Sequence, residues 1–250
     1  LAGVLGNADL MLNQISATSP LHDHVHAIIN ASRRAADLCR EMLAYSGKGK
    51  FVVEALNLSD VVREMGRFLE VTVPKKIRMV YQLSDSLPAV EGDTAQIRQI
   101  LMNLITNAAD AIGNEVGMIT ITTGDRDYSA AELSRTSFDD PPPAGHYVFV
   151  EVSDTGCGMD DETRKKIFDP FFTTKFTGRG LGLASVQGAI RGHNGALTII
   201  SAPGEGSTFT VLLPCSDKSV LPPAVTSTKT WTGGGTALVV DDEDTVLDFA

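Results

Sequence analysis

The apolar run Tyr147-Val-Phe-Val-Glu-Val152 leads into Asp154-Thr-Gly-Cys-Gly-Met159. The run predicts a strand, and the two glycines after it allow a tight turn in which backbone approaches a neighbour without a Cβ in the way. A carboxylate held at such a strand end can accept from the exocyclic amine of a flat ring. Taken alone, the same residues also describe an ordinary turn. Other segments of the chain separate the two readings.

Upstream, Ile97, Ile100, Leu101, Leu104, Ala108 and Ala111 recur at helical spacing. The opposite stripe carries Gln99, Asn103, Asn107 and Asp110. Amides four residues apart share a face, so Asn103 and Asn107 could offer carboxamide oxygens to a hard cation such as Mg²⁺; a solvated polar face is the plainer alternative. Downstream, Lys166-Ile-Phe-Asp-Pro-Phe-Phe-Thr-Thr-Lys175 precedes Gly178-Arg-Gly-Leu-Gly-Leu183, which opens a further helical pattern. Glycines leading into a helix expose N–H groups where the dipole favours phosphate. Lys175 and Arg179 are the nearest cations that could assist. Gly204-Glu-Gly-Ser-Thr-Phe209 then sets a second glycine turn between two strand-like runs.

The order of these four elements, an Asn-bearing helix, a D-x-G-x-G strand end, an aromatic-basic segment with a glycine-rich lid and a G-x-G-S-T-F hairpin, closely resembles the catalytic ATP-binding domain of sensor histidine kinases. That family belongs to the GHKL fold, shared with type II topoisomerases, Hsp90 chaperones and MutL repair proteins. The resemblance covers about residues 56–214 and implies the cofactors ATP and Mg²⁺. It further implies that Asn107 coordinates Mg²⁺ with Asn103 lining the same pocket, and that Asp154 accepts from the adenine amine at the turn shaped by Gly156 and Gly158. Thr208 would support Asp154 directly or through water. Gly178, Gly180 and Gly182 would form the lid with Arg179, Leu181 and Leu183, Lys175 would meet the phosphates, and Phe168, Phe171 and Phe172 would pack as the hinge. Water-hydrolysing members of this fold place a glutamate one turn before the metal-binding Asn. This chain has Asn103 there, and an amide cannot take a proton from water.

Residues 1–47 carry apolar positions (Leu1, Val4, Leu5, Ala8, Met11, Leu12, Ile15, then Val25, Ile28, Ile29, Ser32, Ala35, Ala36, Cys39, Met42, Leu43) that predict two amphipathic helices broken at Ser19-Pro20. A lone hairpin exposes its apolar stripe, so a homodimeric four-helix bundle is expected. The segment resembles the dimerisation and phosphotransfer hairpin of the same kinases, which implies an acceptor His just ahead of Leu1. His22, His24 and His26 point to different faces and read as solvated helix-start residues. His146 and His193 lie beside turn glycines and read as structural.

The catalytic region is expected over residues 48–214, and 215–235 read as a Ser/Thr/Pro/Gly-rich linker. Residues 236–250, an apolar strand running into Asp241-Asp-Glu-Asp244, resemble the start of a receiver domain, as in hybrid-type kinases; a solvated acidic tail is the alternative. The partners implied are a second copy and a receiver domain, in cis or in trans. A net charge of −10 argues against nucleic acid, whose binding rests on Lys and Arg. Three cysteines without metal spacing fit a cytoplasmic setting, and no apolar run reaches membrane-spanning length.

The fold expected is α+β, a two-layer α/β sandwich preceded by an antiparallel helical hairpin. Its mixed sheet is expected from Val52–Val53, Arg78–Gln82, Met118–Thr123, Tyr147–Val152, Ala196–Ser201 and Ser207–Leu213, with helices at Leu58–Val73, Thr94–Ile112 and Leu183–Arg191. Arg126 to Gly145 reads as a long surface insertion. The function expected is the ATP-dependent kinase core of a two-component system. A GHKL ATPase and a non-catalytic nucleotide-binding interaction module are the alternatives.

Overall fold

The computed structural model describes residues 2–16, 19–45, 52–134, 136, 141–175, 180–216 and 218. Two compact units result, one holding the first 42 residues and the other residues 43–223. The linker beyond Lys218 and the receiver-like segment lie outside the described residues.

In the first unit α1 (Ala2–Gln14) and α2 (Pro20–Tyr45) form the hairpin. Pro20 sits at the first helical position, where its missing N–H is no loss. The interior is small: Ala8, Val25 and Ile29 are buried, with Leu5, Leu12 and Ile15 against them. Val4, Met11 and Ile28, assigned to the same apolar stripes, are 48%, 46% and 45% exposed.

The second unit is a two-layer α/β sandwich. Its strands are β1 (Glu54–Leu56), β2 (Ile77–Gln82), β3 (Ala89–Gly92), β4 (Gly117–Tyr128), β5 (Gly145–Asp154), β6 (Ala196–Ser201) and β7 (Ser207–Ser216). The order is β1-β3-β7-β5-β4-β2, with β6 also on β7. Only the β2–β4 pair is parallel among these. Three longer helices, α3 (Leu58–Thr72), α4 (Thr94–Ile112) and α7 (Gly182–Gly192), share one apolar core with the sheet; α5 (Ala130–Leu133) and α6 (Asp161–Lys166) are short.

Local chemistry sets the helix starts. Asn57 Oδ1 accepts from the N–H groups of Ser59 and Asp60, and Asp93 Oδ1 from those of Ala95 and Gln96. Each such cap is worth about 1 kcal/mol. Asp93 does more than cap, because its other oxygen accepts from Val52 N–H and its own N–H donates to His193 Nε2 at 2.9 Å. With Nε2 accepting, the proton of the neutral ring lies on Nδ1 and is donated to the Ala189 carbonyl at 2.7 Å. His193 thereby joins the start of α4 to the end of α7.

Three differences from the sequence reading have physical causes. The first strand lies at Glu54–Leu56, with Val52 and Val53 exposed ahead of it. The strand β3 has only four residues and no distinguishing alternation. The expected insertion at 126–145 is largely ordered structure: β4 and β5 pair as far as Tyr128 and Gly145, and α5 follows with a Ser129–Glu132 capping box. Leu133 is fully buried and Tyr128 nearly so, with the Tyr128 and Tyr147 rings edge to face at 5.9 Å. The apolar anchors in this segment are too sparse to reveal that it folds back onto the sheet.

Candidate active site

The turn after β5 is seated on the end of α4. Cys157 N–H donates to the Ala111 carbonyl at 3.1 Å, and a Cβ on Gly156 would lie 2.6 Å from the Ala111 carbonyl carbon. Only glycine allows that approach. Thr155 ties the turn to β4 through Met118, donating its N–H to the Met118 carbonyl and accepting the Met118 N–H at its hydroxyl. Gly158, at φ +63°, interlocks with the β6–β7 hairpin, where a Cβ would meet the Ala202 carbonyl oxygen at 1.9 Å. Gly204 N–H closes the contact by donating to the Cys157 carbonyl at 2.7 Å.

Asp154 is thus fixed at the turn's edge and is 6% exposed. Its Oδ1 accepts from Gly156 N–H at 2.7 Å. Burial pushes its carboxyl above the ordinary carboxylate range, against the backbone N–H groups of Gly156 and Ser207, which pull it down. The buried acceptor is therefore one whose charge the surroundings only partly compensate. Thr208 makes no direct bond to Asp154 among the described contacts. The register sets Ser153 opposite Thr208 and Asp154 opposite Ser207, so Thr208 lies on the other sheet face and its hydroxyl bonds to Ser153 at 2.9 Å. Ser207 stands opposite Asp154 instead and reaches its carboxyl through the backbone N–H, a contact that only the strand register reveals. Its hydroxyl is held 3.0 Å from that of Ser201, which in turn accepts from Met159 N–H.

Along α4, Asn103 and Asn107 are half-buried and Asp110 is exposed, while Ile97, Ile100, Leu101, Leu104 and Ala108 face the core. Asn103 Nδ2 donates to the Gly182 carbonyl at 3.3 Å, tying α4 to the first turn of α7. Lys175 Nζ donates to Asn107 Oδ1 at 2.9 Å and to Asp110 Oδ2 at 2.8 Å. A cation therefore rests on the amide oxygen expected to hold Mg²⁺, which shows that this oxygen is presented to positive charge.

The glycine-rich segment is closed at its base: Phe171 N–H donates to the Gly180 carbonyl, and a Cβ on Gly180 would lie 2.4 Å from the Phe171 carbonyl carbon. Of the three phenylalanines expected at the hinge, Phe168 and Phe172 pack against the core, whereas Phe171 is 65% exposed. Leu181 is buried in the protein interior and Leu183 is half-buried against the core. Gly178 and Arg179 lie outside the described residues. A groove of about 360 Å³ opens between α3 and α4, lined by Leu69, Val73, Met102, Ile105, Ala109 and Asp110 among others. Neither Asn103, Asn107, Asp154 nor the turn glycines line it, and it adjoins the site described here through Asp110.

Among the remaining histidines, His146 lies between Asp127 and Asp125, 2.9 Å from each. His22 and His26 stack edge to face at 4.6 Å on α2.

Comparison with known proteins gives the family. The model of the histidine kinase-, DNA gyrase B-, and HSP90-like ATPases matches residues 92–217, half of the chain, and the chain belongs to that family. Within it, the relatives are sensor histidine kinases. The sensor kinase CckA of Brucella abortus (strain 2308) is 35% identical over 257 residues, covering 98% of this chain and 27% of that protein. Full-length ShkA, crystallised in complex with AMPPNP, superposes with a TM-score of 0.67 at 25% identity, covering 88% of this chain and 44% of that one. The histidine kinase ThkA in complex with the response regulator protein TrrA gives a TM-score of 0.55 at 25% identity, over 86% and 57%. The chain spans well under half the length of the first curated relatives it matches. Among the described residues no helix is long and apolar enough to cross a membrane.

Proposed function

We propose that this chain is the catalytic region of a two-component sensor histidine kinase, which binds Mg-ATP and directs its γ-phosphoryl group to a histidine. The observation that carries this reading is the seating of the Asp154 turn on the Asn-bearing helix, which puts a desolvated acceptor and a cation-facing amide on one continuous piece of structure. Asp154 would accept from the adenine amine, with Gly156 and Gly158 leaving room for the ring. Asn103, Lys175, Gly178, Arg179, Gly180, Leu181, Gly182 and Leu183 are the proposed phosphate-side residues. Thr208 would contribute only through water and the strand.

The residues fit a magnesium ion. Asn107 Oδ1, which accepts from the Lys175 ammonium, would be one hard oxygen ligand, the kind of sparse protein contribution Mg²⁺ accepts when phosphates and water supply the rest. When bound, the ion would neutralise charge developing on the transferred phosphoryl group. The chain's own residues position the nucleotide, exclude water and orient the phosphates. Hydrolysis is disfavoured because Asn103 is not a base and its amide is engaged with Gly182.

The hairpin within 1–47 is proposed to dimerise through the exposed Val4, Met11 and Ile28, and the acceptor histidine is proposed to precede Leu1. Residues 48–214 would form the ATP-binding region and 215–235 a linker. Residues 236–250 would open a receiver domain, and a receiver Asp, in cis or in trans, would take the phosphoryl group onward. A cytoplasmic setting follows from that chemistry.

The test is a longer chain that includes the residues ahead of Leu1, incubated with ATP labelled at the γ-phosphate. Acid-labile, base-stable label that is lost in Asn107→Ala is expected. Acid-stable label, on Ser or Thr, would contradict it.

A further inference from the structure

Lys175 and Asp110 are 65 residues apart in sequence and form an ion pair at 2.8 Å at the edge of the proposed metal site. Asp110 lies three residues beyond Asn107 on α4, so both side chains share a face. The lysine nitrogen spans them, bonding to Asn107 Oδ1 at 2.9 Å as well. An ammonium and a divalent ion cannot hold the same amide oxygen in the same way. Loading the ion on Asn107 therefore displaces the lysine from that oxygen but leaves its bond to Asp110 available.

Resting on the nucleotide reading above, we propose that Asp110 is a positioning residue for Lys175. It retains the ammonium beside Asn107 while the bond to that amide is exchanged for one to a phosphate oxygen of the incoming nucleotide. The geometry favours this over a direct role for Asp110. Its carboxylate is the more exposed partner, with its side chain 60% accessible against 37% for Lys175, and the oxygen resolved in contact is on the lysine. Lys175 also lies between Phe171 and Gly180, which are joined by a backbone bond. Holding its nitrogen on α4 therefore ties the stretch after Phe171 to the same helix face that would receive the ion.

The experiment is a double-mutant cycle read by calorimetric binding of AMPPNP with Mg²⁺ to the 250-residue chain, without reference to turnover. Asp110→Asn should weaken binding by about three- to fivefold, the effect of losing one exposed charge pair. On a Lys175→Met background the same substitution should change affinity less than about twofold, because no ammonium is left to position. Asp110→Glu should recover most of the loss. Equal losses in both backgrounds would show that Asp110 meets the ion or its water directly, and no loss in either would show that the pair is idle. Either result overturns the proposal. Failure of the unsubstituted chain to bind the nucleotide at all would instead overturn the nucleotide reading on which it rests.

Discussion

The antiparallel ladder between β4 and β5 runs from the pair Ile119–Asp154 to the pair Tyr128–Gly145, and ionisable side chains gather at both of its ends under opposite conditions. At the distal end the described charges of Arg126, Glu132, His146, Asp125 and Asp127 are paired within reach of water. The Arg126 guanidinium, with help from the Ser129 backbone and hydroxyl, pulls the Glu132 carboxyl down to about 2, and Asp127 and then Asp125 raise His146. At the turn end Asp154 is buried, has no cation bonded to it among the described contacts, and is raised by desolvation. Proximity to neighbours stabilises the charged forms at one end, and removal from water disfavours the charged form at the other. The same strand pair thus compensates its charges at one end and leaves a buried carboxyl only partly compensated at the other, the kind of perturbation that marks a functional site.

The sharpest way to break that comparison is to disturb the interlocked turns. Gly158→Ala, with φ +63° and a Cβ 1.9 Å from a carbonyl oxygen, should destabilise the fold by about 4 kcal/mol or more, measured by denaturant unfolding. Leu133→Ala at the distal end should cost about 3 kcal/mol through an unfilled cavity. Its nucleotide affinity should stay at the parent value, and a joint loss of stability and affinity would show that the two ends are coupled.

Asp154→Asn should do the reverse. Nucleotide affinity is expected to fall about 100-fold, as when a charge-assisted acceptor is lost. The thermal midpoint should hold or rise, because a carboxyl whose folded pKa is raised destabilises the fold once pH passes through that value, and the amide does not ionise. Gly204→Ala is the control for the hairpin. It shares a positive φ but meets nothing within 4 Å, so about 1 kcal/mol is expected.

The smallest effect is at His146. A raised histidine stabilises the fold fully below its unfolded value and loses that contribution as pH climbs through the folded one. The midpoint should therefore decline slightly over that window in the parent and not in His146→Gln. Glu132 works in the other sense, its contribution fading as pH falls from the ordinary carboxylate range toward about 2.

The parts of this molecule that were legible in its sequence are those governed by local periodicity. Thr94–Ile112 is helical over the expected range and Ala196–Ser201 is a strand over the expected range, because each has a continuous apolar face. The polar continuation of β4 through Gly124-Asp-Arg-Asp127 was not legible, since its pairing comes from β5 rather than from its own pattern. The same distinction holds at the site. Asn103 and Asn107 share a helix face by spacing alone, whereas the landing of Lys175 on Asn107 and the pairing of Ser207, rather than Thr208, with Asp154 depend on tertiary register.

The histidine that links Asp93 to Ala189 has a wider mechanical consequence. With Asn103 holding Gly182 at one end of α7 and His193 anchoring the other, that helix is a beam clamped at both supports. Tilting it to admit a ligand would rupture a bond at each clamp, so a spectroscopic label at its exposed Arg191 should report the same environment with the site empty or filled.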